Sequence, residues 1–142
     1  RGPFYLSLLE SLRTIPGVGL LTATALLAFV GDVRRFPTER RFANYLGLTP
    51  REHSSGLQRH LGGISKRGDC YLRMLLIHGA RSVLFASRRR QEPERLRAWA
   101  MAIEKRSGFN KAAVALANKL ARIIWAVWRR DEATYISRPN AA

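Results

Sequence analysis

The sequence has little cysteine, few acidic residues and no long apolar segment. Cys70 is the only cysteine among 142 residues, which excludes an intramolecular disulfide and a zinc site built from cysteines, and which fits a reducing compartment. No apolar run reaches the roughly 18 residues that a transmembrane helix requires. No secretory signal is recognisable, and the chain begins with Arg1. We therefore expect a cytoplasmic protein without a membrane partner, and a sequence that is a fragment of a longer one.

The scarcity of acidic residues gives the chain a strong positive charge. It contains 25 lysines and arginines against 10 aspartates and glutamates, for a net charge of +15, and 21 of the basic residues are arginine. Between residues 40 and 90 there are eleven basic and two acidic residues. The planar guanidinium of arginine suits bidentate contacts with phosphate. Because 46% of the residues are hydrophobic, a disordered basic tail is excluded and a folded domain that binds a polyanion is favoured.

Apolar residues recur at helical spacing along most of the chain. The pattern predicts a mainly α fold, with residues 1–142 forming one compact multi-helix domain. Thr38 is placed to cap the third helix and Asn110 the last one. Glycine-rich residues 47–67 form an irregular loop with room for a short hairpin. The predicted helices cover residues 4–13, 20–30, 39–46, 69–87, 94–107 and 111–132, and the core stripe of the last one comprises Ala113, Leu116, Ala117, Leu120, Ile124 and Val127.

A glycine turn, Ile15-Pro-Gly-Val-Gly19, separates the first two helices with the spacing typical of a helix-hairpin-helix over residues 4–30. Gly17 and Gly19 permit a tight turn because glycine tolerates positive φ. Free amides at the start of the next helix can then bind a phosphate without reading the bases. We predict DNA-backbone contacts at Gly17 and Gly19; the alternative is a plain pair of helices joined by a glycine turn.

A pair of serines followed by glycine, Ser54-Ser55-Gly56, lies in the basic central region, in what we call the serine loop (residues 47–68). Such a sequence is usually only a turn. A hydroxyl among cations also suits a phosphodiester, provided that a base or a metal activates it. The nearby cations are Arg51, Arg59, Lys66 and Arg67, and the candidate bases are His53 and His60, which are otherwise surface residues or phosphate contacts. The residues alone leave both interpretations open.

Three groups of residues outside the serine loop have alternative roles. The tryptophans Trp99, Trp125 and Trp128 lie at apolar spacing, so we expect them in the core or an interface rather than as platforms for bases. The cluster from Arg88 to Arg90 is either a solvated link or a nucleic-acid clamp. Basic residues of the last helix are expected to form a solvated face: Lys119, Arg122, Arg129 and Arg130.

Six short blocks, and a weaker one near the end, identify a resemblance to a known family. They are Ile15-Pro-Gly-Val-Gly19, Phe36 before a short helix, Gly47-Leu-Thr-Pro50, Ser55-Gly56, Ile64-Ser-Lys-Arg-Gly68 and Leu72-Arg73, followed by Asn110 to Lys119. In this order and spacing the chain resembles the C-terminal domain of DEDD-type insertion-sequence transposases, the IS-one-ten and IS-eleven-eleven group. Gly62-Gly63 and Asp69-Cys70 depart from the more polar residues usual in that family.

The resemblance implies a recombinase that excises and inserts mobile DNA. A serine of the C-terminal domain acts as a nucleophile on DNA in this family, and its motif maps onto Ser55, with Ser54 one residue away. DNA contacts are then expected at Arg51, Arg59, Lys66, Arg67 and Arg73, in addition to the glycine turn. The helical remainder would cover residues 69–136.

The same resemblance implies what lies outside this chain. A resolvase-like N-terminal domain with four metal-binding acidic residues is absent from the sequence, so we expect no metal or cofactor here, magnesium in the full-length enzyme and no DNA cleavage by this chain alone. Implied partners are DNA, a structured guide RNA, the N-terminal domain and further copies of the chain, in a nucleoid-associated bacterial oligomer.

Two functions of other classes stay open at this level. A non-catalytic helix-hairpin-helix module that binds DNA would explain the charge and residues 15–30, but not the serine loop. An RNA-binding scaffold would explain the excess of arginine.

Overall fold

A computed structural model of the chain describes residues 3–49 and 67–130, together with Tyr135 and Pro139. Within these residues the regular structure is helical and no strand occurs, which confirms the prediction of a mainly α fold. No helix of this part is long and apolar enough to cross a bilayer. The helices are α1 (Pro3–Arg13), α2 (Leu20–Val30), α3 (Glu39–Tyr45), α4 (Arg67–Ser87), α5 (Arg95–Ser107) and α6 (Phe109–Arg129), with a short 3₁₀ turn at Val33–Arg35.

The helix limits agree with the predicted ones to within three residues. The predicted cap at Thr38 is confirmed, because its hydroxyl accepts a hydrogen bond from the amide of Arg41 at 3.2 Å. The predicted cap at Asn110 is wrong. Gly108 precedes the helix with a φ of 100°, which favours glycine, so α6 starts at Phe109 and Asn110 lies in its first turn. The short hairpin that the sequence allows within residues 47–67 falls outside the described residues.

The core is built around α6, which packs against α1, α3, α4 and α5. The six residues of its predicted stripe are all buried, as are Leu72, Leu76 and Leu84 of α4. Full burial of a leucine or isoleucine side chain contributes about 1.5–3 kcal/mol. The apolar stripe of α6 therefore packs against four other helices, including α3 and α4, which border the serine loop.

The turn between α1 and α2 is docked on α4 through glycine. The amide of Val18 donates to the carbonyl of Ile15 at 3.0 Å, which closes a type II turn. Pro16 and Gly17 are the two central residues of this turn, and the second of them requires a positive φ, here 84° at Gly17. A Cβ at Gly17 would lie 3.2 Å from the carbonyl oxygen of Gly79, and a Cβ at Gly79 would overlap the carbonyl oxygen of Gly17. The two backbones are thus in direct contact, and side chains are excluded between them.

Two arginines fasten α4 to α5 and α6. Arg97 forms an ion pair with Glu94 at 2.8 Å and donates to the hydroxyl of the fully buried Ser87 at 3.2 Å. Arg88, which belongs to the cluster expected to be a link or a clamp, pairs with Glu104. Its guanidinium also lies 5.5 Å from the ring centroids of both Phe85 and Phe109. Arg88 therefore has a structural role at the junction of three helices.

Candidate nucleic-acid interface

The serine loop leaves α3 through a hydrogen-bonded helix end. Gly47 has a φ of 72° and completes a Schellman motif, in which Leu48 donates to Ala43 at 3.0 Å and Gly47 donates to Asn44 at 2.9 Å. The Thr49 hydroxyl donates to the side-chain oxygen of Asn44. Glycine is needed here because other residues rarely adopt this conformation. The direction in which the chain enters the loop is therefore set by α3.

Two further helices hold the same segment. Arg73 of α4 donates to the carbonyl of Leu46 at 3.3 Å, and its guanidinium occupies the space beside Gly47. Asn118 of α6 donates to the carbonyl of Leu48 at 2.9 Å. The first residues of the serine loop are thus tied to α4 and α6 by side chains from sequence blocks that are 27 and 70 residues away.

The far end of the serine loop returns to α3. Asp69, in the first turn of α4, is only 3% exposed and accepts a hydrogen bond from the hydroxyl of Tyr45, the last residue of α3. The guanidinium of Arg35 lies 5.1 Å from the centre of the Tyr45 ring. The residues that flank the serine loop therefore lie near the C-terminal end of one short helix.

The Tyr45 hydroxyl titrates differently in this environment. Burial above all, and then the hydrogen bond and negative charge of Asp69, raise the pKa of Tyr45 from its ordinary value of 10.0, against the smaller opposing influence of Arg35. A raised pKa in the folded state means that the stabilisation is complete below the unfolded pKa and is lost as the pH rises through the folded one.

This shift predicts a stability change confined to alkaline solution. We expect the free energy of unfolding to fall more steeply above about pH 10 in the wild type than in Tyr45→Phe, because only the wild type must ionise a partly buried hydroxyl beside Asp69. Urea unfolding at about pH 8 and about pH 11 measures the difference. Equal pH slopes for the two proteins would contradict the Tyr45–Asp69 contact.

A cavity of about 700 Å³ opens beside the start of the serine loop. Its size lies within the range of about 300–1,000 Å³ that is usual for ligand sites. Residues 47–49 form one wall, Trp99 of α5 forms another, and α6 contributes the face between Asn110 and Arg122. The cavity therefore joins two blocks that carry the family resemblance, residues 47–50 and 110–119, which are some sixty residues apart in the chain.

The cavity is positively charged. Lys111, Lys119 and Arg122 line it, and none of the described residues in its walls is acidic. Arg122 lies 3.4 Å from Glu39 and donates to Asn118 at 3.0 Å, so its charge is partly compensated. Within the described part of the chain, neither Lys111 nor Lys119 forms an ion pair, and the ammonium of Lys119 lies 5.3 Å from the centre of the Trp99 ring. Among the described residues, no carboxylate compensates the charge of these two lysines.

The structure adds detail to two expectations from the sequence at this cavity. Trp128 is buried and Trp125 is partly buried, with its indole N–H donating to Phe36 at 3.0 Å, but Trp99 is 38% exposed and lines the cavity. Lys119 is exposed, as expected of a solvated face, and both Lys119 and Arg122 line the cavity. Helical spacing assigns residues to faces, but it does not reveal that one of those faces borders the serine loop. The block from Asn110 to Lys119 was the available signal.

The predicted site residues are distributed unevenly over the structure. Ser55 and its neighbour Ser54 lie outside the described residues, as do the predicted phosphate contacts Arg51, Arg59 and Lys66. Arg67 is the first residue of α4, and Arg73 lies six residues further on, against the loop entry. Gly17 is packed on α4, whereas Gly19 is exposed before α2, with no described atom within 4 Å of the point that a Cβ would occupy. Their contacts with DNA stay predictions.

Magnesium, which the family resemblance implies for the full-length enzyme, does not fit the described residues. Across residues 3–49 and 67–130, no group of three histidine, cysteine, aspartate or glutamate side chains could hold a metal ion. The carboxylate of Asp69 is engaged by Tyr45.

Comparison with known proteins decides the family. The model of the Transposase IS116/IS110/IS902 family matches residues 9–100, which is more than half of the chain. The chain belongs to this family. The match includes the glycine turn and the whole serine loop, and it confirms the resemblance drawn from the sequence blocks. No solved structure matches the chain.

Several curated transposases are close relatives over most of the chain. The transposase for insertion sequence element IS1111A of Coxiella burnetii is 48% identical over 123 residues, which cover 87% of this chain and 33% of the relative. The probable family 20 transposase of Pseudomonas aeruginosa is 47% identical over 123 residues, covering 87% and 36%. The transposase for IS1328 of Yersinia enterocolitica is 43% identical over 118 residues, covering 83% and 35%. The chain thus spans about a third of the length of these relatives.

Proposed function

We propose that this chain is the DNA-binding and catalytic-serine domain of a transposase that moves an insertion sequence. The observation that best supports this function is the geometry around the serine loop. The Leu48 carbonyl at its start is held by Asn118 of α6, Asp69 just after its end contacts Tyr45 of α3, and a cationic cavity opens at its entry. A loop whose flanking residues are anchored in this way can present a hydroxyl to a DNA strand that the surrounding cations bind.

In the proposed reaction, the hydroxyl of Ser55 attacks the phosphorus of a DNA phosphodiester. The new bond joins the serine oxygen to phosphorus, the bond from phosphorus to the leaving DNA oxygen breaks, and the serine proton is transferred to a base and then to that oxygen. Arg51, Arg59, Lys66 and Arg67 neutralise the phosphate charge. His53 and His60 are the candidate bases of this loop.

The proposal assigns the rest of the reaction to other components. The acidic residues that bind magnesium are supplied from outside the described residues, by the resolvase-like domain that the family resemblance implies. A structured guide RNA and further copies of the transposase act as partners. This chain alone is expected to bind DNA without cutting it.

Salt dependence tests the DNA-binding part of the proposal. If four cations of the serine loop neutralise four phosphates, the logarithm of the affinity for duplex DNA should fall with the logarithm of salt concentration with a slope of about −3.6 or steeper, at −0.9 per phosphate. Fluorescence anisotropy of a labelled duplex measures this slope. Alanine at all four positions, Arg51, Arg59, Lys66 and Arg67, should make the slope shallower by about 3.6.

A matched variant controls for the loss of net charge. Removing four exposed cations of α4 and α5 lowers the total charge equally, but leaves the serine loop intact. We expect this control to change the slope by less than about 1. A slope near zero for the wild type would refute nucleic-acid binding altogether, and equal changes in both variants would refute its placement at the loop. The control positions are Arg81, Arg95, Lys105 and Arg106.

A further inference from the structure

We infer that the cavity between residues 47–49, Trp99 and α6 binds an unpaired nucleotide of the DNA strand, with its base against Trp99 and its phosphates at Lys111 and Lys119. This inference rests on the proposed function, because it names the part of the DNA that the same region would hold. The walls themselves supply three observations in its favour: an aromatic surface, two cations that form no ion pair among the described residues, and a position beside the serine loop.

The aromatic surface is an exposed indole in a concave wall. Trp99 is 38% exposed, although a tryptophan of this size is usually more deeply buried. Bases stack on such side chains irrespective of sequence, since every base has a π face. Inside a duplex those faces are occupied by neighbouring base pairs, so only an unpaired base can enter the cavity and reach the indole.

The cations lie at two points along the α6 wall of the cavity, where they can contact the backbone beside that base. The Lys119 ammonium, 5.3 Å from the centre of the Trp99 ring, leaves that face when a base stacks there. Lys111 lies in the first turn of α6, where the free amides and the helix dipole add to its attraction for an anion. Lys119 is eight residues further along, which corresponds to about 12 Å along the helix axis. Within the described residues, neither lysine has a carboxylate partner to displace.

The position of the cavity favours DNA as the occupant over RNA. Thr49 lines the cavity and stands six residues before Ser55. The proposed function brings the DNA strand that is attacked to the serine loop, so an unpaired nucleotide of that strand is the nearest group that can enter. A guide RNA has no corresponding reason to lie at this point.

Substitutions of Trp99 in the 142-residue chain test the inference. Trp99→Leu should weaken binding of a labelled single-stranded DNA by about tenfold or more, while Trp99→Phe, which keeps a stacking ring, should weaken it less than about threefold. Binding of the same sequence as a duplex should change less than about twofold for both variants. Phe85→Leu removes an exposed aromatic side chain outside the cavity and should leave single-strand binding unchanged.

The lysines provide a readout that does not depend on the tryptophan. Lys111→Gln and Lys119→Gln should each make the salt slope for single-stranded DNA shallower by about 0.7. Thermal unfolding followed by circular dichroism verifies that all variants fold. Each lysine variant supports the inference only if its slope changes for the single strand more than for the duplex.

The possible failures are distinguishable. If the wild type binds neither duplex nor single-stranded DNA, the proposed function fails together with the inference. If it binds duplex and Trp99→Leu affects single strands no more than Phe85→Leu does, only the cavity assignment is overturned. The same holds if Trp99→Leu weakens binding of an RNA oligonucleotide but not of single-stranded DNA.

Discussion

Replacing Ser55 by alanine in a full-length transposase that contains this chain is expected to abolish recombination, with a loss of at least about a thousandfold. The methyl group of alanine has no oxygen with which to form a bond to phosphorus. The frequency with which a marked element moves from a donor plasmid to a target plasmid measures this loss. DNA binding by the variant should be unchanged within about twofold, because the cations of the loop stay in place.

Ser54→Ala is the matched control for this experiment. It removes a hydroxyl from the adjacent position of the same loop, so it reproduces every effect of the change except loss of the nucleophile. We expect it to retain most of the activity. The reverse result, activity lost in Ser54→Ala and kept in Ser55→Ala, would move the nucleophile by one residue. Activity retained by both variants would eliminate a serine nucleophile.

The helices could be predicted from the sequence because their signals are local. The stripe of α6 is buried as its spacing indicates, and the Thr38 hydroxyl caps α3 as its position indicates. The error at Asn110 has a local cause too. Asparagine is a good cap, but Gly108 can adopt the positive φ of 100° that lets the chain reverse between α5 and α6 two residues earlier.

The cavity could not be predicted, because it depends on contacts between distant segments. Asn118 reaches the carbonyl of Leu48 across 70 residues of sequence, and neither the helical pattern of α6 nor the glycine at the end of α3 specifies that contact. The exposure of Trp99 follows from the same packing. The family resemblance includes both blocks, residues 47–50 and 110–119. It gives only their order along the chain, which does not show that they are in contact.

Gly79 illustrates both cases, because its place in α4 can be read from the sequence but its contact with Gly17 cannot. Its position in the middle of α4, among apolar residues of one face, indicates only a small residue of the core. The structure shows that the turn at Gly17 is packed against it, backbone to backbone. Because α4 begins at the end of the serine loop, this contact connects the glycine turn to the candidate DNA site through one helix.

Gly79→Ala is therefore expected to destabilise the fold by about 3 kcal/mol or more. Alanine in a helix interior normally stabilises by up to about 1 kcal/mol relative to glycine, so the expected change has the opposite sign. The added Cβ would overlap the Gly17 carbonyl oxygen, which belongs to a tight turn and cannot move as a flexible side chain does. Urea unfolding measures the free energy, and the melting temperature should fall by about 10 °C.

Gly19→Ala separates this contact from a general effect of glycine replacement in the same turn. Gly19 has a φ of −92° and no described atom within 4 Å of the point that a Cβ would occupy, so alanine there should cost less than about 1 kcal/mol. If Gly79→Ala were as stable as the wild type, the turn would not be docked on α4. If Gly79→Ala lost stability and Gly19→Ala lost only DNA affinity, the glycines would have separate roles. Gly17 and Gly79 would allow the turn to pack closely on α4, and Gly19 would contact a phosphate.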